Sequence, residues 1–216
     1  MKIKICGMRE AGNISELAEL APDYMGFIFY KPSPRFAGTL LPDLLSRLPV
    51  AIKKTGVFVD CRPEEVLEIS LQFGLDAIQL HGSESPGQCF EITALFADRP
   101  RPEMIKAFGV GPGFDFSITE DYRDAVGYFL FDTRTPGHGG SGKTFDWRLL
   151  ENYKGDKPFF LSGGIGPEHI DELRKFNDSR LYALDLNSRF ELAPALKDIA
   201  GLTTTINTLR GNAINQ

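Results

Sequence analysis

Cysteine is scarce: the 216-residue sequence holds three, Cys6, Cys61 and Cys89. An odd number at irregular spacing makes neither a disulfide framework nor a cysteine-rich metal site, and a reducing cytoplasm is the default expectation. Histidine is as scarce, with His81, His138 and His169 alone. No H-x-x-x-H or C-x-x-C spacing occurs, so no metal is expected. Positive charge is not in excess: 24 Lys and Arg stand against 29 Asp and Glu, a net charge of −5. That balance gives no electrostatic reason to expect nucleic-acid binding. No apolar run approaches the length that crosses a bilayer, so no membrane partner is expected. The opening residues 1–7 are too poor in apolar side chains for a signal peptide. A G-x-G-x-x-G turn is missing after the first apolar run, where Cys6-Gly7-Met8-Arg9 stands. That lowers the case for dinucleotide binding.

The residues that are present read as an ordinary soluble globule, 42% hydrophobic and 25% charged. The length suits one large domain over 1–216. Short apolar runs at 3–6, 24–29, 52–59, 77–80, 104–108, 128–131, 158–161 and 181–184 predict strands buried on both faces. Amphipathic helical faces alternate with them: Ile14, Leu17 and Leu20/Ala21; Val66, Ile69 and Phe73; Ile170, Leu173 and Phe176; Leu196, Ile199 and Thr203/Ile206. Pro63 and Pro167, each followed by glutamate, open helices. The alternation predicts an α/β fold with a parallel sheet. It fits a ring of eight units, and by itself leaves an open, doubly wound sheet standing.

In a barrel of this kind, chemistry gathers where the strands end. Those ends carry Cys6, Arg35, Asp60, Cys61, His81, Asp132, Ser162 with Gly163 and Gly164, and Asp185 with Asn187 and Ser188. The last two clusters offer backbone N–H groups to a phosphate, at the place where many barrels hold one; the alternative is a pair of tight turns. Cys6 is a base or nucleophile if its thiolate is stabilised, and otherwise a small buried hydrophobe. Cys61 stands at an analogous strand end, so position alone does not separate the two. Cys89 falls within a helix and is structural. Asp132, walled by Tyr128-Phe129-Leu130-Phe131, is a candidate general acid, or else a turn cap. Arg35 is a clamp for a substrate carboxylate or a surface arginine pinned between prolines. His81 lines the pocket or bonds a neighbouring backbone group. A glycine-rich loop, 133–144, is long enough to point to a functional segment.

These pieces together resemble the phosphoribosylanthranilate isomerase family. The resemblance rests on Lys4-Ile5-Cys6-Gly7-Met8, Ser33-Pro34-Arg35, Gly56-Val57-Phe58-Val59 and Gln79-Leu80-His81-Gly82. It continues through Phe131-Asp132, the run from Gly139 to Trp147, Leu161-Ser162-Gly163-Gly164-Ile165 and Asp185-Leu186-Asn187-Ser188. The motifs follow one another in order over nearly the whole chain. The resemblance implies a single-domain (β/α)8 TIM barrel, a soluble monomer or homodimer whose partner is a small-molecule substrate. It also implies the Amadori rearrangement of N-(5-phosphoribosyl)anthranilate to 1-(2-carboxyphenylamino)-1-deoxyribulose 5-phosphate. In that reaction Asp132 would be the general acid and Cys6 the general base. Arg35 would hold the anthranilate carboxylate. Gly163, Gly164, Asn187 and Ser188 would hold the phosphate, and His81 and Asp185 would line the pocket. No cofactor is implied, because the iminium formed on ring opening is its own electron sink.

Two positions depart from the family pattern. Pro32 precedes Ser33 where lysine is frequent, and Arg189 follows Ser188 where glycine is frequent. Other phosphate-binding barrels are the nearest alternatives. An indole-glycerol-phosphate synthase asks for a lysine and glutamate pair at strand ends. Lys106 lies within the fifth strand, but no glutamate partner is evident after a strand. A ribulose-phosphate epimerase asks for histidines and aspartates around a metal. A non-catalytic phosphate-binding barrel would lack the acid and base.

Overall fold

The computed structural model describes residues 1–134 and 144–211. Eight strands form a closed ring in chain order: β1 (Lys2–Ile5), β2 (Tyr24–Ile28), β3 (Lys53–Phe58), β4 (Ala77–Leu80), β5 (Glu103–Val110), β6 (Tyr128–Thr133), β7 (Phe159–Leu161) and β8 (Leu181–Leu186). Every neighbouring pair in the ring is parallel, and β8 closes onto β1. The closed ring removes the open-sheet alternative. Closure also leaves no unpaired sheet edge to protect.

The crossovers on the outside are α1 (Ala11–Glu19), α2 (Pro42–Ser46), α3 (Pro63–Phe73), α4 (Pro86–Ala94), α5 (Ile170–Leu173) and α6 (Ile199–Arg210). Pro63 and Pro86 sit in the first turns of α3 and α4, where a missing N–H costs nothing. Ser85 and Gln88 form a reciprocal capping box at the start of α4. After β5 and β6 the crossovers are short 3-10 segments, Phe116–Tyr122 and Trp147–Asn152. Large rings cover the wall there. Phe116 meets Phe131 and Tyr153, and Phe108 meets Phe129.

Three helical expectations shift. Leu20 and Ala21 lie beyond α1, and Ala21 turns left-handed at φ 48°. Phe176 lies beyond α5. Leu196 is not on the last helix. It belongs to a small hairpin, β9 (Glu191–Ala193) and β10 (Leu196–Lys197), that juts from the loop after β8. Pro194 and Ala195, the latter at φ 68°, make a turn that helical geometry forbids. The helix starts only after Asp198, whose carboxylate accepts from the Gly201 N–H at 3.0 Å.

Alternating residues of each strand point into the ring. Its middle is filled by Ala77, Ile105, Ala107, Leu130, Phe160 and Ala183, with Tyr24 below. The N-terminal mouth is plugged. The Tyr24 hydroxyl donates to Glu103 Oε2 at 2.8 Å, and Lys53 Nζ lies 2.5 Å from Glu103 Oε1. The interior is thus filled from the bottom, and the polar strand residues Gln79, Asp132 and Asp185 face a cavity at the C-terminal mouth.

Candidate active site at the C-terminal mouth

One cavity at that mouth is lined by Cys6, Arg35, His81, Asp132, Gly163, Gly164, Asp185, Asn187 and Ser188, so all nine expected site residues meet. Gln79, Ser33, Tyr30 and Ile165 join them. Cys61 does not. With Asp60 it lines a neighbouring hollow beside α3. Burial, with Glu65 beside it, pushes the Cys61 thiol up to about 12. The geometry thereby separates two cysteines that strand position alone leaves equivalent. Cys89 is buried within α4, as expected of a structural residue. The glycine-rich stretch 135–143, including His138, lies outside the described residues.

Asp132 is part of β6 itself rather than the residue that ends it. Its side chain is nearly closed off from solvent, and Oδ1 accepts from the Thr133 N–H at 2.8 Å. His81 Nε2 stands 3.3 Å from Oδ2. The Gln79 amide meets His81 Nδ1 at 2.8 Å. The two ring nitrogens thus have one polar neighbour each, the Gln79 amide at Nδ1 and the Asp132 carboxyl at Nε2. A Gln–His–Asp line therefore runs up the inner wall from β4 to β6. It sets the His81 ring against the Asp132 carboxyl group. Sequence reading placed His81 in the pocket but gave Gln79 no part. Its signal was available: a polar residue inside an apolar strand, two places before a site residue.

Gly163 fixes the other side of Asp132. It has φ +94°, and a Cβ there would lie 2.3 Å from Thr133 Oγ1 and 3.0 Å from Asp132 Oδ1. Gly163→Ala should destabilise the fold by about 1–3 kcal/mol through backbone strain and should also lower kcat by displacing the carboxyl group. Urea unfolding and steady-state kinetics on the same sample check both effects.

Arg35 reaches the mouth because the loop after β2 doubles back. Phe36 bridges to Ile28, and the Ala37 N–H donates to the Ile28 carbonyl at 2.8 Å. Gly7 makes room: a Cβ there would lie 2.7 Å from Arg35 Cδ and 2.8 Å from Asn187 Oδ1. The guanidinium is already oriented by a carboxylate. Arg35 Nη2 donates to Glu191 Oε2 at 2.6 Å, and Nε to Oε1 at 2.9 Å. Lys197 Nζ completes the group, 2.7 Å from both Glu191 Oε1 and Asn187 Oδ1. Burial opposes the Glu191 charge, but Arg35 and Lys197 together hold its carboxyl below the usual range. Glu191 and Lys197 were missed from the sequence because Leu196 reads as the start of the last helix, which hides the hairpin that carries them.

The two glycine-bearing turns lie side by side. Gly163 and Gly164 both have positive φ, and Asn187-Ser188 opens the turn after β8. Arg189 joins the turns from outside, 2.5 Å from Glu168 Oε1, and does not line the cavity. Lys106 also requires a correction. It has a glutamate partner after a strand, with Nζ 2.8 Å from Glu84 Oε2. Neither residue lines the cavity: Glu84 also accepts from the Gly82 and Asp60 N–H groups, tying the β3 and β4 loops together. Among the described residues, no three His, Cys, Asp or Glu side chains converge as a metal site requires.

Comparison with known proteins bears on the family and the fold. A model of the N-(5'phosphoribosyl)anthranilate (PRA) isomerase family matches residues 3–208. An N-(5'-phosphoribosyl)anthranilate isomerase from Parabacteroides distasonis is 44% identical over 216 residues, covering 99% of this chain and 96% of that one. The crystal structure of phosphoribosyl anthranilate isomerase from Thermus thermophilus is 29% identical and superposes with a TM-score of 0.84, covering 98% and 99% of the two chains. A phosphoribosyl anthranilate isomerase in complex with reduced 1-(o-carboxyphenylamino)-1-deoxyribulose 5-phosphate is also 29% identical, with a TM-score of 0.80 and the same coverage.

Proposed function

The chain belongs to the N-(5'-phosphoribosyl)anthranilate isomerase family of tryptophan biosynthesis, and we propose that it performs the rearrangement with Asp132 as acid and Cys6 as base. Asp132 gives its proton to the furanose ring oxygen. The bond from that oxygen to the first ribose carbon breaks, and the anthranilate nitrogen supplies electrons to form the iminium. The Cys6 thiolate then takes the proton from the second carbon. The electrons of that bond flow into the iminium, and the resulting enolamine tautomerises to the ketone.

The observation that supports this reading most is the shared cavity. Cys6 follows β1 and Asp132 lies in β6, three places round the ring, and both line the same space. Two groups on opposite walls can act on different atoms of one sugar without neutralising each other. The turns at Gly163-Gly164 and Asn187-Ser188 offer the phosphate grip on the wall between them. A solution of the substrate should lose its anthranilate fluorescence when the protein is added. Fluorescence that persists under conditions where the fold is intact overturns the reading.

Arg35 takes the anthranilate carboxylate with the part of its fork that Glu191 leaves available. A charge-assisted contact of this kind contributes about 1.5–3 kcal/mol. Arg35→Ala should therefore raise KM by about 10- to 100-fold while kcat changes far less. An unchanged KM removes Arg35 from substrate binding.

A further inference from the structure

Lys4 is the least expected residue in the barrel. It is fully buried, inside a strand whose neighbours are isoleucines. Its side chain, ammonium included, has no exposed surface. A buried ion pair is often replaceable by apolar side chains without loss of stability, so stability alone is a weak reason for it. We propose that Lys4 is a positioning residue whose ammonium, held beneath the cavity by Asp185, keeps the Cys6 sulfur able to exist as a thiolate when it takes the substrate proton. The proposal rests on the reading of Cys6 as the base.

The placement follows from the strands. Lys4 and Cys6 are two residues apart, so both face the interior. Lys4 pairs in register with Asp185 on β8, and its Nζ is 2.9 Å from Asp185 Oδ1. Asp185 Oδ2 is 3.5 Å from Ser162 Oγ on the next loop. The ammonium is thus anchored by a carboxylate, with Cys6 one pleat further along the same inner face. Burial would push the Lys4 ammonium down, but Asp185 and Cys6 reverse that and hold it up. Burial pushes the Cys6 thiol up, and Lys4 is the strongest influence against it. The other titratable groups facing this cluster are Lys197, which favours the thiolate, and Asp132 and His81, which act on Asp185.

The cluster has a testable sign. Lys4 and Asp185 are partners, yet they bear on the sulfur in opposite directions. A role confined to holding the barrel together predicts the same outcome for losing either one. The electrostatic role predicts opposite shifts of the thiol.

The test is the rate of iodoacetamide alkylation at Cys6, followed against pH and read by mass on the Cys6 peptide so that Cys61 and Cys89 do not interfere. In Lys4→Met the midpoint should move up by about 1–3 pH units, the effect expected of one nearby opposite charge. In Asp185→Asn it should move down. Lys4→Arg should restore the midpoint to within about one unit of the parent, because the charge is kept. If Lys4→Met fails to fold, comparing the double variant Lys4→Met/Asp185→Asn with Asp185→Asn alone isolates the ammonium, and the double variant should have the higher midpoint. A midpoint that ignores Lys4 in every background overturns the proposal. The base role itself fails by a different result: full activity in Cys6→Ser, whatever the alkylation profile shows.

Discussion

Asp132→Asn is expected to lower kcat by about 10²- to 10⁴-fold, the usual contribution of a positioned general acid, with KM changed far less. Asparagine keeps the shape and still accepts from the Thr133 N–H that holds Oδ1 in the wild type. It cannot deliver a proton. Among the described residues the neighbouring proton carrier is His81, and its Nε2 faces Asp132 itself. The loss should therefore fall on the ring-opening step. A variant with unchanged kcat would assign the proton to another group and leave the Gln79–His81–Asp132 line without a chemical role.

Cys6→Ser is expected to cost about 10²- to 10⁴-fold in kcat as well, for a different reason. The serine hydroxyl is close in size but a far weaker acid, so almost none of it is ionised near neutral pH. Burial already pushes the Cys6 thiol up. The base must lose its proton before it can act, so the parent rate should rise with pH across the neutral range. That ascending limb should vanish in the serine variant. A serine variant retaining the parent rate and the parent pH profile would remove Cys6 from the mechanism.

Much of the ring was legible in the sequence because strands buried on both faces are written as unbroken apolar runs. The run at 77–80 matches β4 to the residue. The runs at 181–184 and 128–131 stop short, because β8 and β6 continue through Leu186 and Thr133. Both extensions pass through an aspartate, the residue at which an apolar pattern reads as ended. Polar residues interrupt the apolar pattern inside several strands, and of these Gln79, Asp132 and Asp185 line the cavity while Lys4 lies buried, paired with Asp185. The helical layer was less legible. Unit five carries Phe108, Phe114 and Phe116, whose rings cover the barrel wall without a full helix. The β9–β10 hairpin was illegible because Leu196, Ile199 and Ile206 keep a helical spacing, while the turn at Ala195 breaks the helix before Asp198. With the hairpin misread, Glu191 and Lys197 could not be placed beside Arg35.

The most direct test of two groups acting on two different bonds is the kinetic isotope effect with substrate deuterated at the second ribose carbon. If Cys6 breaks that carbon–hydrogen bond, Cys6→Ser makes the step limiting and shows a large primary effect. If Asp132 opens the ring, Asp132→Asn is limited earlier and shows almost none. The reverse pattern, or an equal effect in both variants, would contradict the division of labour between the two walls.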